Sequence, residues 1–473
     1  MADLFSHPDS QSGNFFTQCG FKGEPSEPDR TAFSQTLEVP DTGRYRVTAS
    51  MQGAKALFGQ RRNLISPAPG KTLSYYTCLT EYMPPMSASV NRDKLLYATA
   101  IGGSVRIEKA EKANVRTVFI AGDSTVADQY TGADYYPADS YCGWGQMLSA
   151  FLPEDAVCNM AHSGLTSRCF QEDGHFDIVK KYMRPGDLML IQFGHNDQKR
   201  RYLQADQQYP VYLERICREV MALGGQPVLV SPISRVPGKD SAGYFDLLYD
   251  HAEANRLLAE KLGIPFIDLH RYSFDLFVSM GESCRALFMD MTHSNDPGAF
   301  RVAGFIAGEL KRLGLAKPVF PDGGFVISDT EKAPPAAPGA PMKGDYVDIE
   351  GYDKELITAA VARGLLDPCV LHMHPEEKLT RGAFIQLLFK KTHMSGGTTD
   401  GVAPFKDIKP REFDASFAVT CKQKGLVTGE YLRLDDLITS EEANGMMEKC
   451  GLICRIGGEY AEKYKVIEAF MKE

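Results

Sequence analysis

Short apolar runs separated by helical patterns occupy the middle of the chain and predict alternating strands and helices. The first run, residues 118–121, ends in a small polar turn, as buried strands often do. Between two of the runs, Leu213, Ile216 and Val220 keep one face of a helix. Strands that alternate with helices form a parallel sheet covered on both faces. We therefore predict a flavodoxin-like doubly wound α/β sheet within residues 113–320. The five predicted strands cover residues 118–121, 156–161, 188–193, 228–231 and 266–268.

Residues 1–112 lack helical periodicity, and apolar and polar positions alternate there instead. The segments 37–39 and 45–49 flank a turn signal at Asp41, which predicts a hairpin. The segments 96–100 and 104–108 predict a second hairpin. We expect an N-terminal β-sandwich. Carbohydrate binding is one expectation for a sandwich of this size, although a fold alone does not establish a function.

A proline-rich stretch at residues 321–344 predicts a linker, because it cannot hold a helix or a strand. Beyond it, residues 345–473 contain a weak internal repeat with a period of about 60 residues. The recurring tripeptides are Val347-Asp348-Ile349 with Lys406-Asp407-Ile408, Arg363-Gly364-Leu365 with Lys424-Gly425-Leu426, and Leu379-Thr380-Arg381 with Ile438-Thr439-Ser440. Each unit is expected to form two helices around a short loop, so we predict a C-terminal helical repeat region.

The charge balance excludes some partners. The formal net charge is −9 and the chain has no basic blocks, so we expect no binding to nucleic acid or to membranes. Eleven scattered cysteines argue against a disulfide framework. The first residues have neither a positive region nor an apolar core, so we expect no signal peptide and a cytoplasmic location, or the cell surface if the sequence was trimmed. His372 and His374 alternate in the C-terminal region, which predicts solvated side chains.

Four short polar blocks carry the candidate chemistry. Three of them follow successive predicted strands, so they should meet at one edge of a parallel sheet, and the fourth precedes the last helix of this part. The blocks are Gly122-Asp123-Ser124, His162-Ser163-Gly164, Gly194-His195-Asn196-Asp197 and Asp290-Met291-Thr292-His293.

An ester-cleaving serine needs a base, a group that orients the base, and donors for the developing oxyanion. Ser124 is the candidate nucleophile, His293 the candidate base and Asp290 its candidate partner. A backbone N–H of Gly164 and the amide of Asn196 are candidate oxyanion donors, together with the N–H of Ser124.

Each residue also has a simpler structural explanation. Ser124 and Asn196 are both suited to helix caps or turns, and Gly164 to an ordinary loop. Asp290 and His293 are also compatible with a surface pair. His195 is a candidate for substrate binding, or else a packed loop histidine. The joint order of the blocks favours the catalytic interpretation.

The four blocks resemble the signature of the GDSL/SGNH hydrolases. More narrowly, residues 122–126, Trp144-Gly145, residues 194–197 and Thr292-His293 look like the rhamnogalacturonan acetylesterase branch. The resemblance covers roughly residues 115–318. It implies catalytic Ser124, Asp290 and His293, with Ser124, Gly164 and Asn196 as the oxyanion hole. No cofactor and no metal are implied.

The function expected from this resemblance is removal of O-acetyl groups from pectin-derived or related plant oligosaccharides through an acyl-enzyme. A general acyl hydrolase for lipids or thioesters is one alternative, and a non-enzymatic protein that binds sugars or the cell wall is another. The C-terminal repeats loosely resemble S-layer homology modules, which implies a cell-wall polymer or a second copy of the chain as partner. All four blocks precede residues 321–344, so the site is expected to be complete without the C-terminal repeats.

Overall fold

The computed structural model describes residues 32–38, 42–58, 63–65, 72–81, 95–110, 115–129, 141–320 and 345–473. Ten of the strands in these residues form a single sheet. The ten strands are β1 Ala32–Glu38, β2 Gly43–Phe58, β3 Asn63–Ile65, β4 Thr72–Leu79, β5 Leu95–Lys109, β6 Thr117–Gly122, β7 Ala156–Asn159, β8 Leu188–Gln192, β9 Gln226–Val230 and β12 Phe266–Ile267. A separate antiparallel pair consists of β10 Gly238–Asp240 and β11 Gly243–Phe245.

The C-terminal half of the sheet is parallel and has the order β7-β6-β8-β9-β12. The five apolar runs therefore form strands in the doubly wound order, as predicted. Along β6, Val118 and Ile120 belong to one buried apolar cluster, while Phe119 and Ala121 belong to another. Side chains of a strand alternate between its faces, so both faces of the central strand are covered.

Seven helices accompany the parallel strands within the described residues up to 320. They are α1 Trp144–Met147, α2 Cys169–Glu172, α3 His175–Tyr182, α4 Tyr209–Ala222, α5 Tyr249–Leu262, α6 Leu269–Met280 and α7 Asp296–Arg312. The last of them begins where the Asn295 side chain accepts a hydrogen bond from the N–H of Gly298 at 3.1 Å. This cap satisfies one of the unpaired donors of the first turn and fixes where the segment before the helix ends.

The N-terminal strands continue the same sheet, and their pairings differ from the predicted hairpins. The first strand, β1, pairs with β5 and not with β2. Residues 95–109 form one unbroken strand, because Gly103 pairs with Met51 within the ladder instead of turning the chain. The hairpin predictions were therefore wrong. The described strands form one sheet that joins the parallel strands through β4 and β7, so the predicted sandwich is not confirmed.

The C-terminal region, residues 345–473, contains five described helices around its own apolar cluster. They are α8 Lys354–Ala362, α9 Arg381–Thr392, α10 Ala415–Gln423, α11 Ser440–Lys449 and α12 Lys463–Lys472. Asp348 accepts hydrogen bonds from the N–H groups of residues 373 and 374, and Asp407 accepts them from residues 432 and 433. Thr380 and Thr439 cap α9 and α11. The predicted linker at 321–344 lies outside the described residues, and the resemblance to S-layer modules stays a prediction.

The C-terminal region also packs against the parallel part of the molecule. Arg201 forms a two-pronged contact with Asp435 at 2.8 and 2.9 Å, and Arg411 forms one with Asp240 at 2.9 and 2.7 Å. Leu371 is buried in the apolar cluster that contains Phe119 of the central strand. The two parts of the chain therefore share apolar core as well as surface ion pairs.

Candidate active site

Ser124 lies in a tight turn directly after β6. Asp123 is fully buried and stabilises this turn, because its Oδ1 accepts hydrogen bonds from the N–H of Thr125 at 2.9 Å and from Thr125 Oγ1 at 2.7 Å. A Cβ at Gly122 would lie 2.7 Å from Val126 Cγ2, which leaves no room for a side chain there. The turn presents Ser124 at the carboxyl end of the central strand, where open α/β sheets bind ligands.

A buried hydrogen-bond network supports the turn. Gln192 Nε2 donates to Thr125 Oγ1 at 2.9 Å, and Gln192 Oε1 accepts from Trp144 Nε1 at 2.8 Å. Gln129 Nε2 donates to the carbonyl oxygen of Ser124 at 2.7 Å. Because Trp144 is the one tryptophan of the chain, its fluorescence reports on the packing beneath this site.

Ser124, His293 and Asp290 form a continuous hydrogen-bonded chain. Ser124 Oγ lies 2.8 Å from His293 Nε2, and His293 Nδ1 lies 2.7 Å from Asp290 Oδ2. Asp290 Oδ1 accepts the N–H groups of Thr292 at 2.6 Å and of His293 at 2.7 Å. Burial opposes the charge of Asp290, but the imidazole and these N–H groups outweigh it and hold the pKa of the carboxyl below its ordinary value. The ionised carboxylate accepts from Nδ1–H, so Nε2 carries the lone pair that accepts the serine proton.

The loop that carries Asp290 and His293 is held by a residue that the sequence interpretation missed. Arg235, which is 8% exposed, donates to the hydroxyl of Thr292 and lies 3.4 Å from the carbonyl oxygen of His195. It follows the buried strand β9, at the same sheet edge as the three predicted blocks. The rings of Tyr141 and His293 pack edge to face at a centroid distance of 5.8 Å. These contacts define the position of the imidazole from two sides.

Gly164 lies in the loop after β7, with a φ of 78° that favours glycine. The N–H of His162 donates to the carbonyl oxygen of Gly122 at 3.1 Å, which ties this loop to the nucleophile turn. A Cβ at Gly164 would lie 2.8 Å from Cys369 Cβ, a residue of the C-terminal region. Both the conformation and the close approach therefore require glycine.

Asp197 joins the two loops that carry the predicted oxyanion donors. Its Oδ2 accepts the N–H of Gly194 at 3.1 Å. Its Oδ1 accepts the N–H and the hydroxyl of Ser167 at 2.9 and 2.6 Å. Because Asp197 is fully buried, these bonds are shielded from water, and they fix the Gly164 loop relative to Asn196.

Asn196 is half-buried, and its side-chain amide has two partners. Nδ2 donates to the carbonyl oxygen of Leu165 at 3.0 Å, and Oδ1 accepts from Lys199 Nζ at 3.0 Å. An amide nitrogen carries two protons, so one N–H remains for a ligand. Because the ammonium group of Lys199 can only donate, the amide atom beside it is the oxygen.

His195 is 1% exposed and lies beside Asp123, with its Nδ1 3.3 Å from Asp123 Oδ2. Neither ring nitrogen makes a hydrogen bond of good geometry. Burial lowers the pKa of His195 despite the neighbouring carboxylate, so the ring is neutral near pH 7. This position favours the packed loop histidine over the predicted substrate contact.

The described residues contain no group of three or more His, Cys, Asp or Glu side chains that could hold a metal ion. Over the same parts of the chain, the helices are too short or too polar to traverse a bilayer.

Residues 120–299 match the GDSL-like Lipase/Acylhydrolase family. Rhamnogalacturonan acetylesterase RhgT of Bacillus subtilis (strain 168) is 31% identical over 216 residues, which cover 42% of this chain and 90% of the relative. The probable rhamnogalacturonan acetylesterase YesY of the same organism is 30% identical over 210 residues, which cover 42% and 94%. The uncharacterized esterase YxiM, also from that organism, is 34% identical over 209 residues, and the chain spans only 53% of its length.

The matched range 120–299 includes Ser124, His293 and Asp290, together with the candidate oxyanion donors Gly164 and Asn196. The chain therefore belongs to the GDSL-like lipase/acylhydrolase family of carboxylic ester hydrolases, in the branch that contains rhamnogalacturonan acetylesterases, and residues 120–299 are the part that matches the family.

Proposed function

We propose that this protein is a serine carbohydrate esterase that removes O-acetyl groups from pectin-derived or related plant oligosaccharides. The observation that carries the proposal is the chain Ser124 Oγ to His293 Nε2 to Asp290, with distances of 2.8 and 2.7 Å, at the carboxyl end of the central strand. Two relatives whose names state rhamnogalacturonan acetylesterase activity support the substrate class.

In the first half of the reaction, Ser124 Oγ attacks the acetyl carbonyl carbon while His293 Nε2 takes the hydroxyl proton. The C–O bond to the sugar breaks, and the sugar oxygen leaves with the proton from Nε2. Asp290 keeps the imidazole in the tautomer that can accept a proton and stabilises the imidazolium that forms. The products are a free sugar hydroxyl and an acetyl group on Ser124.

In the second half, water attacks the acetyl-enzyme and His293 takes one water proton. The bond to Ser124 Oγ breaks, the serine recovers its proton from His293, and acetate leaves. In both halves the carbonyl oxygen becomes negative, and the N–H groups of Ser124 and Gly164 and the amide of Asn196 are the proposed donors. The second proton of the Asn196 amide, which is not used by Leu165, is the one proposed to reach the oxyanion.

The division of the chain is also a proposal. We assign catalysis to residues 113–320 and two helical repeats to residues 345–473. Support for the repeats comes from the equivalent contacts of Asp348 and Asp407 and the equivalent caps of Thr380 and Thr439.

The experiment is acetate release from acetylated pectin and xylan oligosaccharides, with p-nitrophenyl acetate and octanoate in parallel. Ser124→Ala is the control, since it exchanges a small turn residue for a smaller one and should leave the fold intact. We expect acetate release and labelling by a serine-directed phosphonate, both lost in Ser124→Ala. Faster cleavage of octanoate than of acetate would favour the general acyl hydrolase, and turnover by Ser124→Ala would show that the nucleophile is misassigned.

A further inference from the structure

The C-terminal region contacts the loop that carries Gly164. A Cβ built on this glycine would lie 2.8 Å from Cys369 Cβ and 3.4 Å from both carboxylate oxygens of Asp367. The segment is anchored nearby, because buried Asp173 accepts the N–H of Leu371 at 3.2 Å and contacts His372 Nδ1 at 2.9 Å. The side chain of His372 is 31% exposed, so the prediction that it is solvated is met only in part.

The same region contacts the loop that carries Asn196. Gln386 Nε2 of α9 donates to the carbonyl oxygen of Lys199 at 3.0 Å. Two residues further along, Arg201 pairs with Asp414 at 3.3 Å and with Asp435 at 2.8 Å. Both loops with proposed oxyanion donors are therefore braced by residues 345–473, although the sequence predicts a site that is complete without them.

Lys199 connects this brace to the amide of Asn196. Lys199 is half-buried, and its ammonium group donates to Asn196 Oδ1 at 3.0 Å. An ammonium on the amide oxygen draws electron density from the nitrogen, which makes the remaining N–H a stronger donor. It also prevents the side-chain amide from flipping. A flipped amide would present its oxygen, and not an N–H, to the oxyanion.

Four charged groups act on Lys199. Withdrawal from water and the cations Arg235 and Arg200 lower the pKa of Lys199 to about 8, against the opposite influence of Asp367 and Asp123. The ammonium form therefore prevails at neutral pH and is lost as the pH rises through about 8. Neutralising Asp367 would shift this loss to lower pH.

We propose that Lys199 is a positioning residue for the oxyanion donor Asn196, and that the C-terminal region braces this lysine through the hydrogen bond from Gln386 to its carbonyl oxygen. The C-terminal region is then part of the working esterase and not an appended module. This inference rests on the proposed ester hydrolysis, but its test has a separate readout.

The test measures kcat and KM for p-nitrophenyl acetate between pH 6 and 9.5, with the Ser124→Ala rate subtracted at each pH. Active enzyme is counted by phosphonate labelling, so misfolded protein does not affect kcat. The variants are Lys199→Met, Lys199→Arg and Asp367→Asn. Lys180→Met is the matched control, because Lys180 is half-exposed and pairs with Asp177 and Glu219.

We expect Lys199→Met to lower kcat about tenfold with KM unchanged, since one charge-assisted hydrogen bond is lost. The wild type should lose kcat as the pH rises through about 8. This loss should move to lower pH in Asp367→Asn and be absent in Lys199→Arg, whose guanidinium stays charged. A merely structural lysine would change the labelled fraction and the melting temperature but not the pH profile.

Wild-type kcat in Lys199→Met, or an alkaline loss of kcat that persists in Lys199→Arg, would overturn the inference while leaving the esterase assignment intact. No acetate ester turnover by the wild type would overturn the proposed function instead.

Discussion

The most informative single substitution is Asp290→Asn, because it changes one atom of the site. Asparagine keeps Oδ1, which accepts the two N–H groups of Thr292 and His293 at 2.6 and 2.7 Å. It replaces Oδ2, which lies 2.7 Å from His293 Nδ1, with an NH2 group. The loop therefore keeps its backbone hydrogen bonds while the partner of the imidazole changes from acceptor to donor.

An NH2 group beside Nδ1 forces that nitrogen to accept, so the ring proton moves to Nε2. This nitrogen is 2.8 Å from Ser124 Oγ and can then only donate to it. Loss of the correct tautomer typically lowers kcat about ten-thousandfold, which corresponds to about 5 kcal/mol of transition-state stabilisation. Asp290→Ala differs, because it also leaves two N–H groups without their acceptor, at a cost of about 1 kcal/mol each in unfolding free energy.

The assay is steady-state hydrolysis of p-nitrophenyl acetate, with urea unfolding followed by the fluorescence of Trp144. We expect Asp290→Asn to unfold like the wild type but to be nearly inactive, and Asp290→Ala to unfold at lower urea. Asp275→Asn is the control, since Asp275 is exposed and forms a long surface pair with Arg271 at 3.8 Å. More than a hundredth of wild-type kcat in Asp290→Asn would refute the tautomer argument.

Two further predictions concern the oxyanion donor and the contact between the two parts of the chain. Asn196→Ala should lower kcat roughly a hundredfold with little change in KM, because one preorganised donor is lost; earlier melting with a wild-type rate would make Asn196 structural. Leu371→Ala should lower the unfolding free energy by about 2–4 kcal/mol, because Leu371 is 7% exposed and packs with the core of the parallel sheet. Leu437→Ala, at a 43% exposed leucine, is its control in the same urea titration, and equal losses would exclude a shared core.

We could predict the parallel strands and the Ser124–His293–Asp290 chain from the sequence, because local sequence patterns specify both. A continuous apolar run identifies a strand buried on both faces without knowledge of the strands beside it. Polar blocks that follow successive parallel strands must meet at one edge of the sheet. The same logic would have identified Arg235, which follows β9, but an isolated arginine lacks the spacing of a motif.

The pairing of the N-terminal strands could not be predicted from the sequence. The alternation of apolar and polar residues specifies which face of a strand is buried, but not which strand lies beside it. In the structure Ala32 pairs with Ile101, far along the chain. The contacts of His372 with Asp173 and of Cys369 with Gly164 depend in the same way on how distant segments pack. No local pattern encodes them.

The pairing of β4 with β7 has a practical consequence for handling this enzyme. Without β4, the backbone N–H and C=O groups on the outer side of β7 would be unpaired, and such open edges recruit strands from other molecules. The opposite edge of the sheet is β12, which has only two residues and offers little to pair with. A fragment that begins near residue 113 should therefore aggregate more readily than one that begins before β1, even though both contain every residue of the reaction.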